Sequence, residues 1–500
     1  MPTVTPPAPT SASAVPAATD VATPELTRAP THTSPSVPAA VATTSASALA
    51  AATPAHRDRY IDLLRAVSIG VVVFGHWLIA AVDHRQGRLT GDNVLALIPA
   101  TQWLTWVLQV MPLFFLVGGY ANSASWSAAR RDGLGYGGWL HARLARLLPP
   151  SVVFVGVWTA VAAVAAVAGV DPSALRLGAH VVAVPLWFLA VYVGVVALAP
   201  LACAAHRRYG LTAAVALTVA AVVVDVADLV LGVPGIGSAN FLFVWLAVHQ
   251  FGICWRDGTL GRRHAPWLML GGLMALVLLT TVGPYARSMV GVPGEVRTNN
   301  SPPTVPLIAL GLWQLGVAAV ARERVNGWLQ RPRVWTAVVA ANGVAMTVYL
   351  WHLTAVAVVA ITVLPAGLLR QPPVGTGAWW AMRAPWLLTL TVVLLPLIAL
   401  FARHERPGAR TRPTVAGPAA ASATALGVAV VCLGLATFTL HGFHVAGQPL
   451  GLPLPALLAL AGGLTLLRVG LRPSTVPGRR QLADLPLASA RPCEERPCRS

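Results

Sequence analysis

No lysine occurs anywhere in the 500 residues; all 35 basic positions are arginine, and charge of any kind is scarce, at 10% of the chain. Soluble domains carry roughly 25% charged residues. With 56% hydrophobic residues and a mean hydropathy of +0.67, this chain has far more apolar surface than one water-exposed fold can hide, which excludes an ordinary soluble protein. Cysteine is also sparse: Cys203, Cys254 and Cys432 sit singly in or beside apolar runs, and Cys493 and Cys498 lie in an Arg/Pro-rich tail. That spacing excludes a disulfide framework and gives no metal site. The net charge of +18 comes from arginines scattered between apolar runs, so it argues for membrane-flanking loops and against nucleic-acid binding.

What the chain has in quantity is apolar runs of about 20 residues, the length that crosses a bilayer. Twelve spans are expected, centred near residues 71, 110, 158, 191, 221, 246, 273, 312, 349, 393, 428 and 460. The expected fold is an all-α polytopic transmembrane bundle with about 10 core spans over residues 56–405 and two further spans over 406–472. Residues 1–55, rich in Ala, Pro, Thr and Ser, read as a disordered extension without a signal-peptide core, and 473–500 as a disordered tail. The run from Val334 to Leu364 is too long for one straight span, and Asn342-Gly343 marks a kink or the true start. With the N-terminus inside, inward loops hold 17 Arg and outward loops 7, which puts both termini in the cytoplasm.

The first span, Arg59-Tyr-Ile-Asp-Leu-Leu-Arg-Ala-Val-Ser-Ile-Gly-Val-Val-Val-Phe-Gly-His76, carries Asp62, Arg65 and His76. Ionisable groups inside a span usually face a bundle interior or a wet cavity and have a function. Helical geometry sets Arg65 about 60° from Asp62, and His76 within about 20° of Arg65 and roughly 16 Å further along the axis. The three therefore form one stripe.

Other segments admit two readings each. Met111-Pro-Leu-Phe-Phe-Leu-Val-Gly-Gly-Tyr120 permits a kink and close helix approach, for packing alone or around a site. Arg143 and Arg146, at helical spacing before span 3, are positive-inside anchors or phosphate ligands. Asp225 and Asp228 share a helix face, in the headgroup region or at a site; His249 and Gln250, near the inner surface, are solvated or functional. The outward segment 283–304, with Arg297, Asn299 and Asn300, is a connecting loop or a substrate-holding surface. Tyr349-Leu-Trp-His352 places another His inside a span, structural or functional.

These motifs together resemble the acyltransferase 3 family of integral-membrane acyltransferases. Asp62-Leu-Leu-Arg65 followed by His76 resembles the opening of that family's first helix, and Met111-Pro-Leu-Phe-Phe-Leu-Val-Gly-Gly-Tyr its Pro-Leu-Phe-Phe segment. Arg143-Leu-Ala-Arg146-Leu-Leu-Pro is similar to its Arg-Arg-Pro loop, Leu186-Trp-Phe-Leu to its span-4 signature, and Tyr349-Leu-Trp-His352 to its late Tyr-Leu-x-His. The likeness covers roughly residues 57–405 and departs at Gly118, where many members carry Ser. It implies a multi-pass protein of a bacterial inner (plasma) membrane, in keeping with the arginine-only, alanine-rich usage of GC-rich coding. It further implies transfer of a short acyl group, often acetyl from acetyl-CoA, to a hydroxyl of a sugar, envelope glycan or glycosylated small molecule.

On that reading His76 is the base or an acyl carrier, Asp62 orients Arg65, and Arg65, Arg143 and Arg146 meet the phosphates of acyl-CoA. Tyr349, His352, Arg297, Asn299 and Asn300 are the acceptor-binding candidates; the expected partners are the bilayer, the acyl-CoA co-substrate and a hydroxyl-bearing acceptor, with no metal. The rival is a secondary transporter using the same intramembrane Asp, Arg and His. Against it, the stripe is not repeated in the second half of the chain.

Overall fold

A computed structural model of the chain describes residues 46–54, 57–85, 88–405 and 417–471. The expected disorder of residues 1–45, the tail from 473 with Cys493 and Cys498, and the 406–416 connection lie outside the described residues. The chain opens with a short helix, α1 (Ala46–Ala51), followed by α2 (Arg59–Ile79), an antiparallel hairpin of β1 (Ala80–Arg85) and β2 (Arg88–Asn93), and the short α3 (Val94–Leu97) and α4 (Thr105–Leu108). There follow α5 (Met111–Arg131), α6 (Tyr136–Val167), α7 (Pro172–Ala183), α8 (Leu186–Tyr209), α9 (Leu211–Leu229), α10 (Asn240–Arg256), α11 (Ala265–Thr281) and α12 (Val305–Trp328). The last five are α13 (Pro332–Gly343), α14 (Ala345–Val358), α15 (Gly377–Phe401), α16 (Gly417–His441) and α17 (Leu454–Gly470).

Eleven helices among the described residues are long and apolar enough to cross a membrane, and α17 is a shorter apolar helix. Each of the twelve expected centres falls inside one of them. The long 334–364 run divides where Asn342-Gly343 stand, because Val344 takes a non-helical conformation between α13 and α14. One expectation needs correction: the extension assigned to disorder through residue 55 folds at its end. Ala50 of α1 is buried and Thr53 accepts a hydrogen bond from Trp335 Nε1 at 2.9 Å, so α1 packs on α13. Alanine's helix propensity, obscured by the Pro/Thr-rich background, explains the difference.

The bundle is held where backbones touch. A Cβ added to Gly119 of α5 would lie 1.9 Å from the His249 carbonyl oxygen, and one on Gly252 of α10 would lie 1.9 Å from that of Leu116. Without a hydrophobic drive between helices in lipid, such close approach supplies the van der Waals contact that binds them. At the same level His249 and Gln250 are fully buried, His249 Nε2 lying 3.3 Å from Asn122 Nδ2. The solvated reading of this pair is therefore wrong.

A second tie secures the 282–304 loop. Asp225 is buried and accepts from Asn240 Nδ2 (2.7 Å), Tyr285 Oη (2.9 Å) and the backbone N–H of Val305 (2.9 Å), which opens α12. A carboxylate at a helix N-terminus satisfies a donor that has no intrahelical partner, so Asp225 is an anchor, not a headgroup-facing acid. Burial, then the neighbouring Asp225, raises the Tyr285 phenol well above its usual range, which keeps it protonated as the donor.

Helices α16 and α17 pack on each other through Gly427, Gly434 and Gly463, and α16 lies along α8. From the turn between them Phe443, fully buried, enters an aromatic cluster with Phe154 (5.9 Å between centroids) and Trp158 (6.3 Å).

Gly252→Val should lower the thermal unfolding midpoint of the detergent-purified protein, by an overpacking cost of about 1–3 kcal/mol or more. Gly70→Ala, which meets nothing within 4 Å, should leave the midpoint unchanged or raise it. Equal midpoints for the Gly252 variant and wild type would mean that the α5–α10 contact is not close.

Candidate active site

Helix α2 places its three charged positions at different levels. Asp58 caps its N-terminus, accepting from Ile61 N at 3.3 Å, and His76 stands in its last turn. Asp62 and Arg65 are therefore at one end of the bundle and His76 is near the other, in agreement with the stripe.

At the first end Asp62, 7% exposed, is held by Arg57, whose Nε donates at 2.6 Å and Nη2 at 3.3 Å. Arg65 Nη1 lies 3.8 Å from the same carboxylate. The expected Asp62–Arg65 pair thus exists, but it is the looser of the two. Arg143 turns inward, donating from Nη2 to Ser125 Oγ and to Ala121 O (3.4 Å) and stacking over Trp139 at 5.8 Å. Arg65 and Arg146 are both near enough to act electrostatically on Arg143. Arg146 is exposed and Arg65 half-buried, so this end presents a concentration of positive charge.

Beside it lies a network that the sequence did not reveal. Arg322 of α12 donates to Asp58 and, at 3.2 Å, to Tyr120 Oη, which itself donates to Asp58 at 2.7 Å. The guanidinium also stacks within 5.8 Å of Tyr60, Tyr120 and Trp255. This clamp joins α2, α5, α10 and α12. Glu405 was also missed: it accepts from Met346 N (2.8 Å), Thr347 N (3.0 Å) and Thr347 Oγ1 (2.8 Å), so it caps α14.

At the other end, His76 Nδ1 lies 2.9 Å from His352 Nε2, and His352 Nδ1 lies 2.6 Å from the Tyr349 carbonyl oxygen. A carbonyl oxygen only accepts, so His352 Nδ1 carries the proton and its Nε2 offers a lone pair. His76 Nδ1–H then donates to it, which leaves a lone pair on His76 Nε2. His76 lines a cavity of about 450 Å³, mostly apolar, whose wall also includes Tyr349, Asn300, Gln109 and Trp187. His352 is completely buried.

The pair is fixed from behind. Trp77 Nε1 donates to His352 O (3.0 Å), Trp386 Nε1 to Trp77 O (2.9 Å), and Tyr349 Oη to Pro185 O (2.8 Å). Arg383 lies in α15. Buried between Trp379 (4.1 Å) and Trp386 (5.4 Å), it donates to Ala80 O (3.3 Å), where a cation meets the C-terminal end of α2.

The acceptor candidates of the outer loop separate into three. Asn300 lines the His76 cavity and lies 3.5 Å from Gln109 Nε2. Asn299 is buried and fully used within the loop, donating to Ala286 O (2.6 Å) and Ser288 O (2.9 Å) and accepting from Thr304 Oγ1 (2.8 Å). It braces the loop, with both of its N–H donors spent there. Arg297 lines a different cavity.

Comparison with known proteins gives one finding. Residues 58–403 match the family model described as an acyltransferase domain of acyltransferase 3 type. No curated protein and no solved structure matches the chain.

The unpartnered Nε2 predicts that, at low diethyl pyrocarbonate, mass spectrometry finds His76 ethoxycarbonylated well before His352 or His249. Modification of His352 first would contradict the hydrogen-bond chain.

Proposed function

The chain belongs to the acyltransferase 3 family and is a multi-pass integral membrane protein, and from that premise we propose that it moves a short acyl group, acetyl in the simplest case, from acyl-CoA to a hydroxyl of a sugar, envelope glycan or glycosylated small molecule. The observation that carries this reading is the position of His76 in a cavity wall with its Nδ1 against His352, which the Tyr349 carbonyl holds in turn.

His76 Nε2 takes the proton of an acceptor hydroxyl as the oxygen attacks the thioester carbonyl. The resulting imidazolium keeps donating from Nδ1 to His352, which stays neutral because two protonated rings would oppose N–H to N–H. When the carbon–sulfur bond breaks, the proton passes to the departing thiolate, giving ester and free thiol. An acyl-His76 intermediate is the other route; it would leave acylated protein in an acid-quenched reaction without acceptor.

The positive end supplies the donor side. Arg65 would meet CoA phosphates, with the charge of Arg146 beside it, and the roughly 16 Å of helix between Arg65 and His76 is left for the thiol-bearing arm. With the arginine-rich loops inward, the donor arrives from the cytoplasm and the acceptor from the opposite face.

The test is thiol release from acetyl-CoA by purified protein, with and without acceptor sugars. His76→Ala should lower turnover by roughly 10²-fold or more, and His352→Phe should do so to a lesser degree, with His352→Gln, which can still accept from His76, recovering part of the loss. Arg65→Gln should raise the KM for acetyl-CoA more than it lowers kcat. Acceptor-dependent thiol release untouched by His76→Ala would rule out the mechanism.

A further inference from the structure

The outer loop borders two cavities. Val290, Gly291 and Asn300 face the one that holds His76. A second cavity, about 680 Å³, is bounded by the neighbouring Tyr285, Arg287, Glu295 and Arg297, with Gln102 from the segment before α4. That segment and the start of α4 contribute Thr101 and Thr105 to the His76 cavity, so the two spaces share one wall.

Neither arginine has a carboxylate partner among the described residues. Glu295, in the same cavity, instead accepts from Gln102 Nε2 at 2.8 Å. Arg297 Nη1 is steadied by the Pro284 carbonyl at 3.0 Å, and the Arg287 guanidinium lies over the Trp103 ring at 5.2 Å. Both heads are thus positioned while most of their N–H groups stay uncommitted.

The loop beneath them is stiff. Besides the Asp225 and Asn299 bonds, the Met289 carbonyl accepts from Gln109 Nε2 (3.2 Å) and Met289 N donates to Thr105 Oγ1 (2.9 Å). Two pre-placed guanidiniums without a counter-ion on a rigid loop suit an oxyanion, which each can bind in bidentate fashion. Trp103, exposed and set at 63° to Trp106, stands beside Arg287 outside the cavity lining, and its indole offers a surface on which a sugar ring can lie.

We propose that this second cavity is an acceptor subsite for an acidic saccharide unit, in which Arg287 and Arg297 hold its carboxylate or phosphate and Trp103 flanks its ring. The assignment rests on the acyl-transfer reading for its purpose, since a sugar bound here would extend its chain across the shared wall towards His76. The binding itself can be measured without any acyl donor, so a failure of the subsite and a failure of the His76 chemistry are separable.

The experiment is a ligand-observed NMR titration of the full chain in detergent, with glucose 1-phosphate and glucuronate as probes and glucose, inorganic phosphate and glycerol phosphate as comparators. Both acidic sugars should bind more tightly than all three comparators. The Arg287→Gln/Arg297→Gln double variant should weaken them by roughly tenfold or more, with the unfolding midpoint checked in parallel. Glu295→Gln removes a negative charge from the cavity, so it should tighten them by about threefold, and rising salt should weaken them in wild type. Affinity unchanged in the double variant, or looser binding in Glu295→Gln, would overturn the proposal. Binding of inorganic phosphate or glycerol phosphate as tight as that of the sugars would overturn it too, by making the cavity a free-anion or lipid-headgroup site.

Discussion

The functional geometry depends on one short hydrogen bond between a backbone carbonyl and an imidazole. Because the Tyr349 oxygen can only accept, it fixes the tautomer of neutral His352, which fixes that of His76 and leaves the lone pair on His76 Nε2. The neighbouring bonds keep that carbonyl and that ring where they are. Glu405 caps the start of α14, Tyr349 Oη is tied to Pro185, and the His352 carbonyl is taken by Trp77. Each partner comes from a different part of the chain, so the orientation of the His76 imidazole is set by the packing of the bundle as a whole.

The second constraint is length. Along α2 a rigid rod separates a positively charged end from the imidazole pair, and the Asp58–Tyr120–Arg322 clamp prevents that rod from sliding against α5 and α12. A half-buried ion pair such as Asp58–Arg322 is weak as a source of stability because desolvation offsets its attraction. Its value here is positional, since Asp58 is at once helix cap and hydrogen-bond acceptor for two other helices.

Much of this was legible in the residues. All twelve apolar runs became helices, because span length is dictated by the bilayer and leaves little room for tertiary override. The stripe of Asp62, Arg65 and His76 followed from helical arithmetic alone. Partnership between distant segments was not legible: nothing in the spacing says that His352 meets His76, that Arg57 and not Arg65 is the nearer partner of Asp62, or that Arg383 turns back into the bundle between two tryptophans. Asn299 shows the opposite error. A polar loop residue looks available in sequence, and only the fold reveals that its amide is consumed by two carbonyls and a threonine. Those facts depend on three-dimensional register, which hydropathy does not encode.

The two C-terminal helices lie beyond residue 403, where the family match stops, yet they are not an appendage. Phe443 fills a place against Phe154 and Trp158; Phe154 in turn packs on Trp351, and Trp158 Nε1 donates to Thr354 on the helix that carries His352. The segment defined by shared ancestry and the segment that completes its own interior are therefore different lengths of the same chain. In this protein an addition at the periphery has become a neighbour of the helix that carries the second histidine.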